Sequence, residues 1–439
     1  MALLAGGALL TKISALLTSA NYLQYLFLAL LASLFIEPFF PSIGVRTAHD
    51  VVSSPVNVIN MARVVVVGCV GVCFLYLSIS RPSYLISSLK SPVGAMLVFA
   101  LIALLSATYA SVPFVAAGKA VELFVDVLFG LLIYALYSLE DARRSWMMLW
   151  GFLTAIMVAV WVSAFLNPHD GFELPAGIFG PLLQGWLPRL APNTISQYGA
   201  NFAIIALNRT LQGPSKVRGE KVLWGAYFLF GCLTLGAAQA RTSSVAFIFT
   251  VFVCLFLHRK WLAMTLGAGV CLVGGLAGGL DQLLSYLQRN QSSEQILTLS
   301  GRTYYWTVAW NFFKTSKFLG HGFYTSTRVD LTALYSFMKH DLSTVDNTYL
   351  EVLLGVGVLG LIPLLIALAM CIRDMSRRIS LSGKMEGLRI EMICCFVIIM
   401  IRSFTGSTFQ VHSENLLAFL VIASFYGAAK RQSGYGVAR

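Results

Sequence analysis

The sequence predicts an all-α polytopic membrane protein with about twelve transmembrane helices, and three observations carry that reading. Hydrophobic residues make up 57% of the chain and charged residues only 11%, against roughly 25% charged in a soluble globular protein. Apolar runs of the roughly 18 residues or more needed to cross a hydrocarbon core recur along the whole length. The lysines and arginines fall on alternate connections between those runs.

The expected spans lie at 20–37, 57–79, 93–110, 113–136, 146–166, 193–208, 222–239, 242–257, 261–280, 348–371, 390–410 and 414–429. One set of connections, with the termini, holds 19 lysines and arginines, from Lys12 and Arg81 to Lys430 and Arg439. The short loops of the other side hold Arg46, Arg189 and Arg241. Positive charge stays on the cytoplasmic side of a membrane, so both termini are expected inside and the span count even. The net charge of +12 is then an orientation signal and not a nucleic-acid footprint.

All eight cysteines fall within expected spans, so no disulfide framework is implied. Cys69 and Cys73 share a helix face and read as packing residues. The first 20 residues lack a small-residue cleavage site, and no cleaved signal peptide is expected. The chain reads as a single integral membrane domain, 1–439, without an evident internal duplication. Two connections on the outer side are long. Residues 167–192 form a Gly- and Pro-rich loop, and 281–345 a large loop between spans nine and ten. Within the latter, TYYWTVAWNFF sets Tyr305, Trp306, Ala309, Trp310 and Phe313 on one helical stripe. An amphipathic helix of this kind suits a membrane interface, as a lid or as the wall of a lipid entrance.

Charges inside spans are costly and point to function. Placed by depth, they lean outward. Arg63 lies about two turns into span two, Lys119 and Glu122 in the outer half of span four, Asp126 deeper. Arg402 falls near the outer end of span eleven, and Arg241 at the hairpin between spans seven and eight. With Arg189, Arg302, Asp346 and Glu414 these would line a basic chamber open to the outside, and guanidinium forks match phosphate oxygens. A pyrophosphate-bearing lipid is the expected ligand. Blander readings stand beside this one: Arg63 and Arg402 could snorkel to the headgroups, and Lys119 with Glu122 could form an i,i+3 pair. The six histidines show no metal-ligand spacing, and there is no P-loop or nucleophile elbow. An enzyme built this way would act on an already activated donor, with neither metal nor cofactor.

Five segments in order carry a resemblance: RLAPN at 189–193, AQARTSS at 238–244, SGRTYYW at 300–306, FLGHGF at 318–323 and VDNTYLEVLLGVGVLGLI at 345–362. The series resembles the O-antigen ligase and Wzy-type polymerase superfamily. The resemblance implies a GT-C-like, metal-independent, inverting glycosyltransferase of the bacterial inner membrane. Its active site would be periplasmic, and its donor and acceptor glycans carried on undecaprenyl pyrophosphate. It further implies that Arg241 and Arg302 are the essential arginines. Arg189, Asn193, Lys119, Arg402, His321, Asn347 and Tyr349 are the expected substrate-binding residues. A chain-length regulator protein is a further partner it leaves room for.

One departure bears on the reaction. Ligases of this superfamily usually carry a His-Asn pair where this chain has Asp346-Asn347, the histidine serving as proposed base. The Asp-Asn-x-Tyr-Leu pattern looks more like repeat-unit polymerases. Asp346 is then the expected base, with His340 or Asp341 as substitutes; its bland reading is a helix N-cap. FLGHGF could be only a turn. The sequence therefore points to a polymerase of lipid-linked repeat units. A ligase acting on lipid A–core and a flippase of lipid-linked sugars are the alternatives.

Overall fold

The computed structural model describes residues 20–39, 58–80, 82–177, 180–212, 219–274, 302–336, 345–377, 379, 381, 383–409 and 411–433. Helices dominate. The longer ones are α1 (Ala20–Leu34), α2 (Val58–Ser80), α3 (Pro92–Ser106), α4 (Pro113–Leu136), α5 (Leu139–Leu166), α6 (Pro192–Leu211) and α7 (Glu220–Ala238). The series continues with α8 (Arg241–Leu257), α9 (Trp261–Gly274), α10 (Arg302–Phe313), α11 (Thr348–Ser376), α12 (Gly383–Ser403) and α13 (Glu414–Gln432). Among the described residues, α5, α7, α11 and the Met61–Ser80 part of α2 are long and apolar enough to cross a membrane. The shorter helices α1, α3, α8 and α9 are apolar too. Bulky aliphatic side chains face outward on them, Val222 at 75% exposure and Leu262 at 74%. Surfaces of that kind suit lipid and not water. The chain is a mostly helical polytopic membrane protein.

The chain packs as two compact units. The first comprises Met1–Phe152, Ala309–Ser380 and Gly406–Arg439. Its most deeply buried element is α13, every residue of which from Asn415 to Ala429 is buried. A helix that is apolar all round belongs in the centre of a bundle. Phe129 of α4 joins the neighbouring helices, its ring 5.3 Å from both Phe27 of α1 and Phe74 of α2. Starts are set by capping: Ser91 accepts from the Gly94 N–H at 3.2 Å ahead of α3, and Ser413 from the Leu416 N–H at 3.2 Å ahead of α13.

The same unit holds an interrupted helix. At Gly357 of α11 the backbone turns to φ 64°, ψ −165°, a region essentially reserved for glycine. The segment Lys317–Gly322 docks against the break. Its His321 and Gly322 N–H groups donate to the Leu354 and Gly355 carbonyls at 2.7 and 2.9 Å. In return, the Val358 and Leu359 N–H groups donate to Lys317 and Phe318 at 3.0 and 3.3 Å. FLGHGF is therefore a turn, and one that completes the hydrogen bonding of a long apolar helix.

The second unit comprises Leu153–Val308 and Leu381–Thr405. Helices α6 and α7 touch backbone to backbone, because a Cβ on Gly199 would lie 2.5 Å from the Leu235 nitrogen and one on Gly231 2.5 Å from that of Ala203. Small residues permit such approach within a membrane, where dispersion and not water drives association.

One expectation needs correction. The 167–192 stretch is not a plain loop, so the fold is not wholly α. Strands β1 (Phe172–Gly177) and β2 (Gly180–Leu183) pair antiparallel, Phe172 opposite Leu183 and Gly177 opposite Gly180. Pairing gives acceptors and donors to backbone that the glycines and prolines keep out of a helix. The aromatic stripe of α10 is unevenly exposed. Ala309 and Phe313 are buried, yet Trp310 is 46% exposed and packs edgewise on Phe313. Consecutive helical residues are turned by about 100°, and the buried arc centres on Ala309.

Candidate functional site

In the second unit the basic residues gather on helix ends. Helix α7 closes with Gln239 in the left-handed region, φ 51°, and Arg241 opens α8 two residues later. The first turn of a helix leaves N–H groups without intrahelical acceptors and carries the positive end of the dipole. An arginine placed there adds a cation to an end already suited to anions. Gln239 is buried and donates its Nε2 to the Gly180 carbonyl at 3.2 Å, which ties strand β2 to the arginine hairpin.

Helix α6 begins at Pro192, and Asn193, Gln197 and Asn201 follow at one-turn intervals. Asn193 is exposed and the next two are buried. Arg402, 7% exposed near the end of α12, points its Nε at the Gln197 side-chain oxygen, 3.4 Å away. Arg402 thus does not snorkel: it enters a polar seam. Arg189 is exposed, with Nη2 3.5 Å from the Gln184 oxygen. Farther down the same helix, Arg209 pairs with the buried Glu391, and His258 Nε2 lies 2.7 Å from the Asn208 oxygen. Arg302 is the first residue of α10.

In the first unit, the start of α11 resolves the question of the cap. Asn347, not Asp346, is the N-cap, its side chain accepting from the Tyr349 and Leu350 N–H groups at 3.1 Å each. Asp346 precedes it in the left-handed region, φ 50°. One turn into the helix, the buried Glu351 accepts from Ser407 Oγ at 2.7 Å on both oxygens. Thr348 donates to the Gly406 carbonyl at 2.6 Å. Together these bonds fix the 406–408 segment to the start of α11. His321 lines an open cleft in this unit and stacks flat on Phe312 with centroids 3.9 Å apart. His340 lies outside the described residues.

Lys119 is engaged within its own helix. Its Nζ meets Glu122 at 3.0 Å, and Arg63 meets the same carboxylate at 2.9 Å. The i,i+3 pair is formed, and with Glu37 3.8 Å from Arg63 the two cations face two carboxylates. Deeper, Asp126 accepts from His412 Nδ1 at 2.7 Å, while His412 Nε2 faces Ser33 Oγ at 2.9 Å. His412 and Asp126 are both fully enclosed. A buried charge survives in a low dielectric only when paired in this way.

Ser33, His412, Glu351, Ser407 and Gln197 do not stand out from the sequence alone. Each acts through a partner 50 or more residues away along the chain, and no local spacing marks such a pair. The polar residues recurring every four positions in α6 were the one available signal.

With this geometry in view, residues 226–365 match a family model described as O-Antigen ligase. The match covers less than half of the chain and is a similarity to O-antigen ligases. No curated protein matches the chain. The matched stretch runs from within α7 into α11, so it takes in Arg241, Arg302, His321, Asp346, Asn347 and Tyr349. Arg189, Asn193, Lys119 and Arg402 lie outside it.

Proposed function

We propose that the protein is a Wzy-type polymerase of the bacterial inner membrane, with twelve spans in a GT-C-like arrangement. It joins undecaprenyl-pyrophosphate-linked repeat units by inverting transfer at the periplasmic face. Arg241 and Arg302 hold the donor pyrophosphate, and Arg241 is supported in this by its place at a helix N-terminus. Guanidinium donors aimed at a leaving pyrophosphate stabilise the charge that develops on it as the glycosidic bond breaks. Arg189 and Arg402 support the anion, and Asn193 the lipid-linked glycan. The 281–345 segment is the large periplasmic loop, with α10 at the membrane interface.

Asp346 takes the proton from the attacking sugar hydroxyl, with His340 as its substitute. The observation that carries this reading is the division of labour at the start of α11. Asn347 satisfies the helix end, so the cap is Asn347, and Asp346 stands just outside the helix at its start. A base must reach the proton it abstracts before its pKa matters.

The ligase reading is favoured by the description of the family itself. One experiment separates the two. Purified protein in detergent is incubated with lipid-linked repeat units, and the glycan is resolved by gel. A ladder of multimers supports polymerisation. Transfer only after addition of lipid A–core makes the protein a ligase, and silence in both would sink glycosyl transfer.

A further inference from the structure

The first unit contains an open cleft of about 540 Å³, bounded by Tyr109 and Ser111 after α3, Phe312 of α10, His321, and Asp330 with Leu334. The volume falls within the roughly 300–1,000 Å³ of small-molecule sites. Its chemistry is specific. The Phe312 carbonyl is an acceptor only and lies 3.1 Å from His321 Nε2, and Thr315 Oγ1, which itself donates to that carbonyl at 2.7 Å, lies 3.0 Å away. Nε2 therefore carries the hydrogen, and in that tautomer Nδ1 is an acceptor. Phe312 holds the ring flat from beneath.

Asp330 adds a half-buried carboxylate, bonded by the Ser111 hydroxyl. The Tyr109 ring is 41% exposed, with its hydroxyl tied to the Leu319 carbonyl at 2.6 Å. Two acceptors, a hydroxyl and fixed aromatic walls match a ring that bears hydroxyl donors around an apolar C–H face. Among the described residues no lysine or arginine lines the cleft, and a carboxylate there opposes phosphate.

We propose that this cleft is a carbohydrate subsite, taking one pyranose ring of the acceptor glycan. Asp330 and His321 Nδ1 accept from its hydroxyls. Its assignment to the acceptor rests on the polymerase reading; its affinity for sugar does not.

The test is saturation-transfer NMR on the purified full-length protein in detergent. The probe is the free oligosaccharide released by mild acid from the producing cell's lipid-linked repeat units. Transfer to ring protons is expected with the wild type, weakened tenfold or more in Asp330→Asn and His321→Ala. Ala333→Trp fills the cleft from an exposed position and should abolish it without disturbing the fold. It therefore decides the matter if the first two variants misfold. No transfer with the wild type, or undiminished transfer with Ala333→Trp, overturns the proposal. Polymer ladders made by a wild type that shows no transfer would sink the cleft and leave polymerisation standing. Transfer that Ala333→Trp removes, in a protein that makes no polymer, would uphold a sugar site and sink polymerisation.

Discussion

Val358 donates its backbone N–H to the Lys317 carbonyl across 3.0 Å. In a continuous helix that N–H would bond Leu354, whose carbonyl here accepts from His321 instead. The break in α11 is thus an exchange of partners: two of its carbonyls and two of its N–H groups pair with the Lys317–Gly322 segment. Water cannot satisfy such groups within a bilayer, so an interruption there survives only against a segment that supplies matching ones.

Gly357→Ala should undo this exchange. A Cβ at that position would sit 2.1 Å from the Phe318 oxygen, and the conformation alone costs a side chain on the order of 1–3 kcal/mol. Lower melting temperature and poor recovery from the membrane are expected. A variant as stable as the wild type would contradict the exchange.

Arg241→Ala and Arg302→Ala should each cut polymer yield at least about 10²-fold, the scale of losing one donor to a developing anion. Membrane abundance should be unchanged. Arg241→Lys should recover only part of the activity, since an ammonium lacks the bidentate fork. Normal polymer from both alanine variants would rule out their assigned role.

His412→Ala should destabilise the first unit by about 3–5 kcal/mol, since Asp126 would be left buried and unpaired. Adding Asp126→Asn should restore part of the loss, which a double-mutant cycle on melting temperatures measures. Strict additivity of the two changes would show that the pair is not coupled.

Burial pushes the Asp330 carboxyl above its usual value, and the Ser111 hydrogen bond and nearby His321 partly offset it. The folded state then holds the proton more tightly than the unfolded one. Asp330 contributes stability below its unfolded pKa of about 3.9 and loses it as pH rises through the folded value. The melting-temperature advantage of Asp330→Asn should therefore grow with pH from about 4 upward. A difference that shrinks over that range would reverse the sign.

The helices were legible because each apolar run is long enough to mark a helix, whether it faces lipid or, as in α13, the centre of a bundle. A helix lies over each of the twelve expected stretches. The ribbon in 167–192 was hidden because its strands are short and their glycines and prolines read as loop. In α11, GVGVLG reads as a small-residue face. Only the docking of Lys317–Gly322 shows that one of those glycines breaks the helix. The pairing of Lys119 with Glu122 could be read because it is local. That of His412 with Asp126 could not, because helix packing alone brings them together.

The left-handed backbone of Asp346 also limits what evolution can place there. Asp, Asn and His are the residue types besides glycine that most readily accept that geometry. Two of the three can take up a proton near neutral pH or below. Exchange of histidine for aspartate at this corner is therefore conformationally cheap: one titratable residue can replace another without rebuilding the helix start, whereas Val or Ile at 346 would strain the backbone.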